Sequence, residues 1–159
     1  MEPHELENLT EVLKNMRELE LTVAKFYQTC GDRWQENKNF WMDMEYAEIK
    51  HADNIMRMSE ILSERPEKFE QGNFVPSPAM LKTLISKLNS YVEGLKRHEI
   101  KEQEVFSLGV ALERSFLESR YAEVVKSNDP EFNSLMREIN ADTVFHREYL
   151  AGKLREWAA

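Results

Sequence analysis

Apolar residues recur along most of this chain at three- and four-residue steps, the period of an amphipathic helix. In the first segment Leu9, Val12, Leu13, Met16, Leu19, Val23, Phe26, Tyr27 and Cys30 line one face, while Glu11, Lys14, Glu18, Thr22 and Lys25 line the other. The pattern predicts a helix from about Glu5 to Cys30, with Gly31 as its stop. A second helix is expected from Asn37 or Asn39, each a suitable N-cap, to about Ser63. Its stripe is Phe40, Trp41, Met44, Ala47, Ala52, Ile55, Met58 and Leu62, and Pro66 lies just past its end. The following stretch, "ERPEKFEQGNFVPSP", holds three prolines and a glycine without periodicity and reads as a loop.

Ser77 then caps a third helix with Pro78 at its first position. Met80, Leu81, Leu84, Ile85, Leu88, Tyr91, Val92 and Leu95 form its apolar face. After a weak break at "RHEIKE", a fourth helix is expected to carry Val105, Leu108, Leu112, Phe116, Leu117, Tyr121 and Val124. "SNDP" ends it and opens the last, with Asp129 as N-cap, Pro130 in the first turn, and Phe132, Leu135, Met136, Ile139, Leu150, Leu154 and Trp157 as its stripe. The expected fold is therefore all-α and a single domain, with a hairpin over 5–63, a crossover over 64–100 and a hairpin over 101–157. That order describes an up-down four-helix bundle whose long crossover connection carries an extra helix. The hairpins echo each other, since Glu20 stands 31 residues before His51 and Glu113 stands 33 before His146. A long period present only twice indicates duplication rather than a solenoid.

Five polar residues interrupt the apolar stripes. Glu20 lies between Leu19 and Val23, and in "YAEIKHA" Glu48 and His51 follow Met44 and Ala47. Glu113 is flanked by Leu112 and Phe116, and His146 lies between Ile139 and Leu150. Either group is costly to bury alone. Three carboxylates in one core repel one another and resist ionisation, and a cation between them removes the conflict. Carboxylates with a few imidazoles suit iron or manganese better than a thiolate-seeking metal. Glu-x-x-His on antiparallel helices is a way in which bundles build dinuclear sites, and Glu48, mid-helix beside a histidine, is placed to bridge two ions. Taken singly, each residue also reads as a boundary side chain or a hydrogen-bonded core group. Five at matching places in two hairpins argue together for a metal centre.

Composition narrows the alternatives. With 159 residues, 42% of them hydrophobic and 31% charged, the chain can build a core without staples. A formal net charge of −8 opposes a nucleic-acid partner. The basic residues Lys96, Arg97 and Lys101 are interleaved with Glu99 and Glu102, as on a solvated helix face. Cys30 is the only cysteine, which excludes an internal disulfide and any cysteine-built zinc or iron–sulfur site, and suits a reduced, cytoplasmic setting. The start "MEPHELENL" is unlike a signal peptide, and no apolar run approaches the roughly 20 residues that span a bilayer, so no membrane association is expected. Tyr27, Trp34, Trp41 and the 8 methionines read as core, His4 and His98 as surface, and Cys30 as a small buried apolar group. Neither a phosphate-binding loop nor a nucleophile elbow is present.

"ELELTVAKFY" (18–27), with a Glu seven residues before a Tyr, followed by "EIKHA" (48–52), resembles the ferritin-like, rubrerythrin-type di-iron carboxylate family. "VALERSFLES" (110–119) is similar to that family's third helix and "FHREYL" (145–150) to its fourth, so the likeness covers about 8–62 and 103–157. It implies that Glu20 and His51 are terminal ligands of one iron, that Glu48 bridges, and that Glu113 and His146 are terminal ligands of a second. It further implies Fe(II) oxidation by dioxygen or peroxide, with manganese or zinc as alternative metals, and a homodimer. Lacking the cysteine-ligated iron domain of rubrerythrins proper, the chain would need an external electron donor. The last helix departs from the family: where Glu-x-x-His is expected it reads "TVFH", Thr143 to His146. Asp142, four residues before His146, is the candidate substitute, and Arg120 stands near a position where the family has a tyrosine. Two functions stay open at this point: a non-haem iron or di-iron protein acting as an oxidase or peroxidase, and a degenerate ferritin-like binding or scaffold protein with a partial metal site or none.

Overall fold

The computed structural model describes residues 2–114 and 121–159. Its long helices are α1, Pro3–Arg33; α2, Lys38–Glu64; α3, Pro78–Lys96; α4, Glu102–Glu113; and, after the single turn α5, Tyr121–Val124, the final α6, Pro130–Ala158. Among the described residues the only strands are β1, Phe69–Gln71, and β2, Val125–Ser127, which pair antiparallel with Phe69 opposite Ser127. No described helix is long and apolar enough to cross a membrane.

The helix starts follow local chemistry. Ser77 Oγ accepts the Met80 N–H at 3.2 Å, and Pro78 takes the first position, where a missing N–H costs nothing. Asp129 Oδ1 accepts the Glu131 and Phe132 N–H groups at 3.0 and 3.1 Å, which opens α6. Asn37 holds the cap position of α2 without bonding the helix backbone; its amide donates instead to Glu102 Oε1 at 2.7 Å and ties the starts of α2 and α4 together.

Four expectations need correction. Gly31 does not stop α1, which continues to Arg33. A Cβ on Gly31 would lie 3.3 Å from the Trp41 Cβ, so the glycine serves close packing of α1 on α2. The stretch expected to be a loop contains a tight turn at Pro66–Lys68 and then β1, and β2 separates α5 from α6. Beside this ladder the Gly72 N–H donates to the Val124 carbonyl at 2.9 Å, where the opposing backbone leaves no room for a Cβ. The fourth helix ends at Glu113 rather than running unbroken to Val124; Phe116, Leu117 and Arg120 lie outside the described residues. Trp157, expected on the apolar stripe, is half exposed in the last turn of α6, where the helix end frees it from the core.

The core forms one continuous cluster. α1 packs along α2 and α3, and α6 packs on α4 and α2, so α6 joins the two halves while α3 lies on α1. Trp41 reinforces the join, stacking on Tyr27 of α1 at 5.8 Å between ring centroids and on Phe106 of α4 at 4.9 Å. Gly109 lets α4 approach α6, since a Cβ there would sit 3.0 Å from Leu150 Cδ2. α1, α2, α4 and α6 therefore surround a common interior, and the five polar residues of the stripes point into it.

Candidate metal centre

α1 delivers Glu20, α2 delivers Glu48 and His51, α4 delivers Glu113 and α6 delivers His146, and all five side chains are buried. Each follows its apolar neighbours inward because it shares their helical face. Glu48 stands at the middle. Its Oε2 lies 3.2 Å from His51 Nδ1, and its Oε1 lies 3.0 Å from His146 Nδ1. His146 Nδ1 is also 3.8 Å from Glu113 Oε1, and the two imidazole rings are 5.6 Å apart.

The ligand atoms fall into two groups, each with its atoms within 4.8 Å of one another: Glu20, Glu48 and His51, and then Glu48, Glu113 and His146. These buried groups can hold metal ions, and Glu48 belongs to both. The short approach of His146 Nδ1 to Glu48 Oε1 lacks hydrogen-bond alignment, and both atoms are buried without a hydrogen-bond partner. Buried polar atoms are nearly always paired in native proteins, so two orphans side by side fit a cation that both would ligate. Among the described residues no lysine or arginine pairs with Glu48 or Glu113.

The electrostatics express the same crowding. Burial, and then the charge of Glu48, push the Glu113 carboxyl well above the usual range, although the Tyr27 hydroxyl donates to Glu113 Oε1 at 2.8 Å. Burial acts on Glu48 in the same upward direction, but His146 and His51 outweigh it and hold this carboxyl low. For His51 burial favours the neutral ring, and Glu48 and then Asp142 reverse that and raise it.

Asp142 is not among these ligand groups. Its Oδ2 lies 3.4 Å from His51 Nε2, on the outer edge of the ring, and 3.8 Å from Lys50 Nζ, which also pairs with Glu138. The side chain is 35% exposed, whereas Glu48 and His51 are almost fully enclosed. A carboxylate accepting Nε2–H selects the tautomer in which the Nδ1 lone pair faces Glu48. From there Asp142 can orient the His51 ring. Thr143 is buried three residues before His146, the same offset as Glu48 before His51.

Tyr27, which donates to Glu113, is the contact with the cluster that hydrophobic periodicity hides, because an aromatic on an apolar stripe reads as packing. The signal was its distance from Glu20: seven residues is two helical turns, which puts both on one face. Elsewhere, Trp34 lies under the Arg33 guanidinium at 4.6 Å, and Trp41 Nε1 is buried without a partner. Burial pushes the Cys30 thiol up, away from nucleophilic chemistry. His4, His98, Lys96, Arg97 and Lys101 are exposed and far from ligand spacing.

Comparison with protein-family models, with curated proteins and with solved structures finds no match to this chain.

Proposed function

We propose that this chain is a ferritin-like helical bundle that binds two iron ions between α1, α2, α4 and α6 and supports their oxidation. Glu20 and His51 hold one ion, Glu113 and His146 the other, and Glu48 lies between them. The observation that carries this reading is the membership of Glu48 in both ligand groups, one oxygen beside each histidine. Oxygen and imidazole donors suit iron first, with manganese or zinc as competitors. Bound iron would supply one electron per ion to dioxygen or peroxide. The chain's part is to hold the ions, exclude water from them and orient His51 through Asp142 and Glu113 through Tyr27. Reducing equivalents would come from an external donor.

Thr143 favours a second reading, in which the centre holds metal without turning over. A glutamate at this place would have added a second anionic bridge, and Thr143 adds none. One experiment separates the two: anaerobic titration of metal-free protein with Fe(II), then admission of oxygen while ferric absorbance is followed in the near ultraviolet. Two irons per chain with growth of the ferric band is the expected result. Uptake without oxidation selects the second reading, and no uptake removes both.

A further inference from the structure

We infer that the two-metal centre takes up one small monocarboxylate, of formate or acetate size, at the place where Thr143 stands in for a second bridging glutamate. The inference rests on the two-metal reading above.

Three observations lead to it. The first is the internal symmetry of the cluster. Glu20 on α1 answers Glu113 on α4, and His51 on α2 answers His146 on α6. Glu48, three residues before His51, is answered by Thr143, three residues before His146. Glu48 serves both halves of the centre, so its counterpart would face both as well. Thr143 is buried, but its side chain ends at the γ position and brings no carboxylate. What is missing relative to glutamate is the carboxylate group beyond the γ carbon.

The second observation is that Asp142, the acid next to Thr143 on α6, does not supply the missing carboxylate. Asp142 is engaged at the outer edge of His51 and beside Lys50. The third is charge. Two divalent ions against the three glutamates leave one positive charge in a buried site. An uncompensated buried charge is costly, and an anion entering with the metals removes that cost. A planar carboxylate offers two oxygens with the spacing of the absent side chain; a tetrahedral oxyanion needs more room than the exchange of glutamate for threonine leaves.

The test uses the full chain loaded with Co(II), whose visible bands report its ligands, and acetate as the probe. Two cobalt ions per chain are expected, with bands that shift saturably as acetate is added. The carboxyl carbon of ¹³C-acetate should relax faster with the cobalt protein than with the zinc protein. Thr143→Glu should keep two cobalt ions and lose the acetate response, its own carboxylate having taken the place. Two cobalt ions with no acetate response overturn the inference and leave the two-metal reading standing. An acetate response undiminished in Thr143→Glu also overturns it, since the anion then binds elsewhere, and an equal response to phosphate overturns the carboxylate class. Fewer than two cobalt ions per chain defeats the two-metal reading, and the inference with it. Should the variant fail to fold, the ¹³C relaxation of the wild-type protein decides alone.

Discussion

Among the described residues, carboxylates are buried in two places and treated in opposite ways. At the start of α6, Asp129 is enclosed by its own partners: two backbone N–H groups on Oδ1, then Arg65 Nη1 at 2.8 Å and Lys68 Nζ at 3.4 Å on Oδ2. Its own N–H donates to Ser127 Oγ at 2.9 Å. At the centre of the helices Glu20, Glu48 and Glu113 converge with two histidines, and atoms of Glu48 and His146 are left without a hydrogen bond. A buried anion that the chain itself neutralises is a joint. Acids that converge with imidazoles, with atoms of Glu48 and His146 left unbonded, form groups that can hold a metal ion. The contrast separates an acid that the fold itself satisfies from acids placed where a metal ion could be held.

The largest test of the contrast is Glu48→Ala. The shared ligand is expected to take both ions with it, so metal analysis after reconstitution should fall from two per chain to near none. A ligand held at a hundred times its dissociation constant raises stability by ~2.7 kcal/mol. Wild-type protein should therefore gain on this order when zinc is added, and Glu48→Ala should gain nothing. A variant that still binds two ions would remove Glu48 from the bridge.

Asp142→Asn should act more gently if Asp142 works through His51, whose Nε2 it faces, rather than on a metal directly. Removing an orienting partner of a ligating histidine typically weakens metal binding by about 10- to 100-fold. Stoichiometry should stay at two, with the loss confined to one ion in a competition titration. Loss of one whole equivalent would instead make Asp142 a ligand.

The distinction between these two acids was only partly open to sequence reasoning. Glu48 could be found because its neighbours Met44 and Ala47 fix the inward face, and helical register carries that information. The role of Asp142 depends on which edge of His51 it meets, and His51 belongs to another helix 91 residues away. The caps at Ser77 and Asp129 were legible for the same reason that Glu48 was: they act within a few residues. Gly31 was misread because a missing Cβ serves equally to end a helix or to admit a neighbour, and the neighbour, Trp41, lies on α2. The β1–β2 ladder was invisible since three-residue strands are too short to show alternation, and their partners are more than fifty residues apart. Local chemistry was readable, and chemistry made between elements was not.

Asp129→Asn probes the other side of the comparison and should have the smallest effect at neutral pH. Asparagine is also a good N-cap, so the variant keeps the cap while removing the charge. In the folded chain the Phe132 amide first, and then Arg65 and Lys68, hold the Asp129 carboxyl down to about 2 against the effect of burial. In the unfolded chain the carboxyl titrates near ~3.9. The sign follows from linkage: a depressed carboxyl contributes its stability above the unfolded value and loses it as pH falls through the folded one. Urea midpoints of wild type and Asp129→Asn should thus differ by a constant amount above about pH 5 and converge between about pH 4 and pH 2. A gap that persists unchanged to pH 2 would mean that Asp129 works through hydrogen bonds alone. The joint would then not be an ionic one, and the contrast with the metal centre would rest on geometry rather than charge.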